Sequence, residues 1–261
     1  MPFRNRRIIL AVFTVTLASG ALAQDMMGNV DLSGPMFTTA EMTRTDVEAT
    51  IKASDGRGVD LAGKSLNGLD LSGLDLTKAN FRAARMNKTN LSGAKLDGAV
   101  LDQVWGVGAN FSGASLKRAN LFASQMQGAK YDGADLSGSR ITADLSRASL
   151  RKAKLNAADL SADSKNQSMG LMRGILKSAD LSGADFENAN LGQVDLQFAK
   201  LAGANLTHAS LAGADASGAD FRGAILDHTN LNDADVASAR IDAAQEQAFA
   251  EAKNVARILK E

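Results

Sequence analysis

Residues 180–185 have the sequence Asp-Leu-Ser-Gly-Ala-Asp, and units of this kind, each with one large apolar residue, recur at intervals of five. The first run of such apolar positions, residues 61–141, is interrupted only by Gly106, and a second run covers residues 171–241. Neither an α-helix nor a flat strand places residues five apart on one face. A chain that turns by about a right angle in each unit places all of them inside. The interval therefore predicts a solenoid.

The remaining positions of each unit are also regular. Ala usually stands two residues before the apolar residue, Asp or Asn stands one before it, and Ser-Gly or a similar pair follows it. Over about residues 59–241 this pattern resembles the pentapeptide-repeat family, whose motif is Ala-(Asp/Asn)-Leu-x-x. The resemblance implies an all-β fold, a right-handed quadrilateral β-helix with four repeats per coil. About nine coils stacked at the spacing of neighbouring strands would form a rod roughly 40 Å long.

The first residues have the pattern of a secretory signal peptide. Three arginines within residues 4–7 precede the apolar run 8–17, and Ala21-Leu22-Ala23 is a small-x-small cleavage site. We therefore expect residues 1–23 to be removed between Ala23 and Gln24, and the mature protein to be periplasmic or secreted. The alternative is an uncleaved anchor, but the apolar run falls short of the roughly 20 residues that a spanning helix needs. No membrane span is predicted after cleavage.

Both ends of a solenoid expose its core and need caps. Residues 24–58 are predicted to form a tail and a short capping helix, opened by a capping box of Thr45 and Glu48. Residues 242–261 have the apolar spacing of an amphipathic helix that starts at Asp242. Two interpretations of that helix stay open: a cap folded over the last coil, and a helix that forms a homodimer or binds a partner.

The repeat fails in two places. At the first, Gly106 stands where an apolar residue is expected, and Trp105 precedes it at an outward position. Trp105 either folds inward or over the gap, or it is an exposed aromatic anchor for a protein partner. At the second, the apolar residues from Leu145 to Leu160 come one residue early, and residues 161–170 interrupt the pattern. This predicts a shortened corner followed by a surface loop.

The only two histidines, His208 and His228, are twenty residues apart, which is one coil of four repeats. They should stack on one side of the rod about 5 Å apart. One hypothesis is that the pair binds a divalent transition metal or forms a pH-responsive patch. The other is a duplicated coil without a role. Since zinc sites use three or four ligands and only Asp227 and Asp233 lie near in sequence, no metal site is assigned.

Composition and motifs exclude most other classes of function. The chain has no Cys, no phosphate-binding glycine loop and no His-Glu-x-x-His motif, so we predict no enzyme and no cofactor. Without the three leader arginines, 26 basic residues face 29 acidic ones, a net charge of −3 that predicts no nucleic-acid partner. We predict an exported structural or interaction scaffold with an unidentified protein partner in the cell envelope. The family resemblance implies an alternative, a DNA-mimicking topoisomerase-binding protein, which the leader and the near-neutral charge disfavour.

Overall fold

The computed structural model of the protein describes residues 31–163 and 172–260. The predicted signal peptide, residues 1–23, lies outside the described residues, as do Leu171 and most of the predicted break at 161–170. Within the described residues, no helix has both the length and the apolar content needed to cross a membrane.

The described chain winds into a four-sided tube with a period of twenty residues. One ladder of parallel backbone bridges passes through nine coils, from Asp60 to Asn230. Three further ladders run beside it. We name the sides after the first residue of each ladder: side 1 at Asp60, side 2 at Ser65, side 3 at Asp70 and side 4 at Asp75. The predicted four repeats per coil are therefore confirmed.

The core of the tube consists of the predicted apolar positions. Every described central residue from Leu61 to Ile241 is buried except Leu226, and the alanines two positions earlier are mostly buried too. Each buried leucine contributes about 1.5–3 kcal/mol relative to an exposed one. The chain turns most corners at the second residue after the centre, which takes a left-handed conformation, as in Gly113 with φ +66°. Glycine adopts this conformation at little cost, which explains the frequent Ser-Gly pairs.

The N-terminal end carries two helices, α1 (Pro35–Thr38) and α2 (Arg44–Ala53). The predicted capping box at Thr45 and Glu48 is wrong by two residues. Thr43 caps α2 instead: its hydroxyl accepts from the Asp46 N–H at 3.2 Å, and Asp46 Oδ2 accepts from the Thr43 N–H at 2.8 Å. Val47 of this helix is fully buried in the core.

The C-terminal end does not form the predicted amphipathic helix from Asp242 to Lys260. Two short 3₁₀ helices, Ala243–Phe249 and Val255–Arg257, are followed by a strand, β2 (Leu259–Lys260). This strand pairs in parallel with β1 (Arg240–Ile241).

The physical reason is that this segment keeps following the coil. The Lys253 N–H donates to Ala234 O at 2.8 Å, as a residue of a further coil would, and Asn254 then turns the chain with φ +60°. Some apolar residues of this segment cover the tube, such as Ala252 and Val255, whereas Leu259 stays exposed. Phe249 is buried edge-on against Phe221, with ring centroids 5.4 Å apart.

The phase slip has the predicted order, a shortened corner and then an insertion. Gln125 pairs with Asp144, 19 residues later, and Asp144 pairs with Ile175, 31 residues later. The insertion leaves the tube at the corner between sides 1 and 2, where the Asp163 N–H donates to Met172 O at 2.7 Å. Later bridges return to twenty residues, so the coil absorbs the insertion.

Candidate functional site

Trp105, the predicted aromatic anchor, lies on side 2 and is only half-buried. Its ring packs against Phe37 of α1, with centroids 5.1 Å apart and planes tilted by 42°. We call residues 35–43 the strap, because they run along the first coils of side 2. Trp105 is thus covered in part by the protein's own chain, which leaves less of its surface for a partner than a free anchor would have.

The strap is fixed to side 2 by amide side chains. Asn67 Nδ2 donates to Met36 O at 3.1 Å, and Asn87 Nδ2 donates to Phe37 O at 3.3 Å. Asn67 Oδ1 also accepts from the Asn87 N–H at 2.9 Å, so the two amides form a ladder beneath the strap. Both are almost fully buried, and such groups are costly to leave unpaired. The strap is therefore a built part of this side.

The gap at Gly106 is filled from the neighbouring coils and not by Trp105. A Cβ atom at Gly106 would lie 2.5 Å from Met126 Sδ and 3.6 Å from Met86 Cγ. Met86 and Met126 stand one coil below and one coil above Gly106. Their flexible side chains occupy the missing volume, a role for which methionine suits irregular cores. The expectation that Trp105 folds into the gap is wrong.

His208 and His228 stack on side 4 as their spacing predicts, with ring centroids 4.9 Å apart and planes within 3° of parallel. Both side chains are exposed. A metal ion binds an imidazole nitrogen in the plane of the ring, and parallel planes do not meet, so one ion cannot bind both rings in this arrangement. The described residues also contain no group of three or more His, Cys, Asp or Glu placed to hold a metal.

The recurrent Asp and Asn residues stabilise corners. Each accepts with Oδ1 the N–H two residues later, as in Asp75 with Thr77 at 3.1 Å and Asn110 with Ser112 at 3.1 Å. Hydrogen bonds from the side chain and backbone of Thr77 hold the pKa of Asp75 below its usual value. The abundance of Asp and Asn in this sequence therefore reflects the local structure of the corners and does not indicate acid–base chemistry.

Two exposed apolar residues were missed by the sequence analysis. Phe198 is 60% exposed at a corner position that often holds Gly, and its ring lies over Gly218. Ile225 is 48% exposed at the position before the centre, which usually holds Asp or Asn. Both depart from the repeat at outward positions, and this departure was the signal in the sequence that could have revealed them.

A polar groove of about 620 Å³ runs along the corner between sides 1 and 2 toward the C-terminal end. It is lined by Arg173, Gln193, Ala212, Gly213, Asn230, Asn232, Asp233 and Lys253. The charges in it are paired, with Lys253 Nζ 3.2 Å from Asp233 Oδ1 and Arg173 Nη2 3.8 Å from Asp195 Oδ2. Burial raises the pKa of Asp195. The groove can bind polar groups, but its lining residues include no nucleophile beside a base.

The sequence model described as pentapeptide repeats matches the chain in eight copies, over residues 65–103, 107–142, 175–211 and 199–236. These segments together cover just over half of the chain. No curated protein sequence matches the chain significantly.

Solved pentapeptide-repeat structures share the fold, a right-handed quadrilateral β-helix. The chain is 26% identical to HetL of Nostoc sp. strain PCC 7120, covering 75% of this chain and 97% of that one with a TM-score of 0.50. HetL is described as involved in the regulation of heterocyst differentiation. QnrB1, a plasmid-mediated fluoroquinolone resistance protein, is 15% identical, with 76% and 89% covered and a TM-score of 0.47. A protein of the Arabidopsis thaliana thylakoid lumen is 27% identical, with 39% and 68% covered and a TM-score of 0.32.

Proposed function

Because this chain belongs to the family of pentapeptide-repeat proteins, we propose that it is an exported, non-enzymatic scaffold that binds a protein partner in the cell envelope. The observation that supports this function is the use of its polar groups. The Asp and Asn side chains at the corners bond to their own coil, and part of the described charged residues form ion pairs on the surface, such as Arg82 with Asp102 and Arg151 with Asp132. What the rod offers to other molecules is a rigid surface with a few exposed apolar residues.

Rigidity favours binding over catalysis. Each coil is held to the next by backbone hydrogen bonds on all four sides, so little conformational entropy remains to be lost when a partner binds. The exposed Phe198 is an aromatic residue, a type that is enriched at protein interfaces. The proposed place in the envelope rests on the leader pattern of residues 1–23. The topoisomerase-binding alternative is disfavoured, because basic and acidic residues are interspersed on the described part of the surface.

One experiment tests both the cellular location of the protein and its contact with a partner. The full chain with its leader is produced in bacteria with p-benzoylphenylalanine in place of Phe198, and cells are irradiated and fractionated. The control carries the same group in place of Asn188, an exposed residue at an equivalent corner of side 4 with φ +59°. We expect processed protein in the envelope fraction, with a reproducible crosslinked species at Phe198 and none at Asn188. Unprocessed protein that stays in the cytoplasm would contradict the proposal. So would processed protein that gives no crosslink at Phe198 and none when the group is placed at the exposed Ile225 or Leu259 instead.

A further inference from the structure

At the C-terminal end of the tube, a further turn of the described chain pairs with the last coil on sides 2 and 3 but not on side 4. On side 3, β2 pairs with β1, and on side 2, Lys253 pairs with Asp235. On side 4 the last coil ends with Ile225 and Leu226. Leu226 is the one described central residue that is not buried, and Ile225 beside it is 48% exposed. The cap therefore stops short of this side.

The backbone at this place has hydrogen-bond donors without acceptors. One coil below, the Leu206 N–H donates to Ile225 O at 2.8 Å, and the His208 N–H donates to Asp227 O at 2.9 Å. The equivalent donors of the last coil are the N–H groups of Leu226 and His228. Neither has a partner among residues 31–163 and 172–260.

The carbonyl at the start of the same side is already occupied. Gln245 Nε2 donates to Ala224 O at 2.8 Å and to Phe221 O at 3.0 Å, so this side chain replaces the backbone of a further coil at the corner. Among the described residues, the backbone groups left without a partner at this place are the N–H donors of Leu226 and His228. We call residues 225–228 the side-4 edge.

We propose that the side-4 edge binds an extended peptide segment of a partner protein by parallel strand addition. This inference rests on the proposed scaffold function and names the surface it would use. Main-chain hydrogen bonds supply affinity in this mode of recognition, and pockets for alternate side chains supply specificity. The ladder one coil below defines the geometry: the peptide places two carbonyls, two residues apart, on the N–H groups of Leu226 and His228. The residue between them lies over Leu226 and must be apolar.

The hydrogen-bond polarity of the edge selects a heterologous partner. A second copy that presented its own side-4 edge would oppose N–H groups with N–H groups, and these repel. The carbonyls of Ile225 and Asp227, which a symmetric pair would need, already accept from the coil below. An incoming segment with free carbonyls is complementary in partial charge, and it also covers the apolar surface of Ile225 and Leu226.

The experiment uses the mature full-length chain and a phage-displayed library of random peptides as the probe. Enriched peptides are synthesised and titrated against the protein and two variants. Ile225→Lys replaces the exposed apolar side chain of the edge with a charged one, the type of residue that natural edge strands carry against strand addition. Leu259→Lys is the matched control, because Leu259 is 52% exposed at the same end but its N–H already donates to Ala239 O at 2.8 Å. We expect Ile225→Lys to weaken binding by about tenfold or more and Leu259→Lys to leave it unchanged.

Amide hydrogen exchange of the complex supplies the second measurement. Bound peptide should slow exchange at Leu226 and His228, and leave Leu206 and His208 as they were. Peptide binding at the side-4 edge would be overturned by any of three results: no peptide is enriched, binding is insensitive to Ile225→Lys, or protection appears only around Phe198. The scaffold proposal would remain intact in each case. A dimer that Ile225→Lys converts to a monomer would assign the edge to a second copy and overturn the heterologous partner. Cytoplasmic retention in the crosslinking test would instead overturn the proposed function.

Discussion

The two ends of the tube are closed in different ways. At the N-terminal end, the Arg44 guanidinium donates to Asp70 O at 3.0 Å and to Ser72 O at 3.2 Å, which fills the open carbonyls of side 3. The Glu41 N–H donates to Ser65 O at 2.9 Å on side 2. At the C-terminal end, Gln245 does the same for two carbonyls, but the donors of side 4 have no partner among the described residues.

The difference shows that a solenoid cap has two separate tasks. It must cover the apolar core, and it must satisfy the backbone groups of the last coil. Val47 of α2 and Phe249 of the C-terminal segment perform the first task, and both are fully buried. The second task is left unfinished on side 4, where the edge remains able to pair.

Removing the side chain that covers the core at the C-terminal end should reduce the free energy of unfolding more than any other change considered. Phe249→Ala removes a buried ring packed on Phe221, and we expect a loss of about 3–5 kcal/mol in the free energy of unfolding. Urea denaturation measures it, with Leu259→Ala as the exposed control that should change little. A loss below about 1 kcal/mol would show that this segment does not act as a cap.

At the N-terminal end, Arg44→Ala should lower the free energy of unfolding by less, about 1–2 kcal/mol. The substitution removes two charge-assisted hydrogen bonds, and the side chain that donates them is partly exposed. Lys52→Ala on the same helix is the control, since Lys52 is exposed and donates no such bond. Equal stability of the two variants would mean that water satisfies the carbonyls of Asp70 and Ser72 as well as Arg44 does.

Acid should loosen the N-terminal helix. Hydrogen bonds from the backbone and side chain of Thr43 lower the pKa of Asp46 from its usual 3.8. Because this pKa is lower in the folded protein, the ionised carboxylate stabilises α2 fully at pH values above 3.8. The stabilisation is lost as the pH falls from there through the pKa of Asp46 in the folded protein. At the equivalent place near the C-terminus, Gln245 Oε1 accepts from the Asp242 N–H at 2.9 Å and carries no titrating proton.

We therefore expect amide exchange in α2 to accelerate below about pH 4 relative to other segments of similar protection. Asp46→Asn, which cannot ionise, should remove this local dependence on pH. The same acid response in the asparagine variant would contradict the assignment to Asp46.

The smallest change in stability is expected from a substitution at the side-4 edge. Ile225→Lys exchanges one exposed outward side chain for another, so the free energy of unfolding should change by no more than about 0.5 kcal/mol. Thermal unfolding of the free protein checks this. A clear loss of stability would show that Ile225 belongs to the fold, and peptide binding by this variant could then no longer be interpreted.

The five-residue spacing predicted a solenoid, and the family resemblance implied its four sides. The stacking of His208 on His228 then followed from their separation of twenty residues, which is one coil. The ends were harder to predict. Thr43 and Thr45 are both acceptable N-caps, and each has an acidic residue three positions later that can complete a capping box, so the sequence alone does not decide between them. The C-terminal stripe fits a helix as well as a coil, and backbone pairing with Ala234 and Ala239 decides for the coil.

The candidate sites show the same limit. Trp105 was noticed because it breaks the repeat, but its packing on Phe37 joins residues far apart in sequence that no local pattern connects. The open donors at Leu226 and His228 depend on where the cap lies in space. Tertiary contacts, and not residue types, determined these features.

The most direct test of the open edge is residue-resolved amide hydrogen exchange of the free mature protein. Leu206 and His208 form the matched pair for Leu226 and His228, since they occupy the same positions one coil below and donate at 2.8 and 2.9 Å. We predict that exchange at Leu226 and His228 is about a thousandfold or more faster than at Leu206 and His208. Equal protection of the two pairs would mean that side 4 is closed, and it would contradict the account of the C-terminal end as a site for a partner strand.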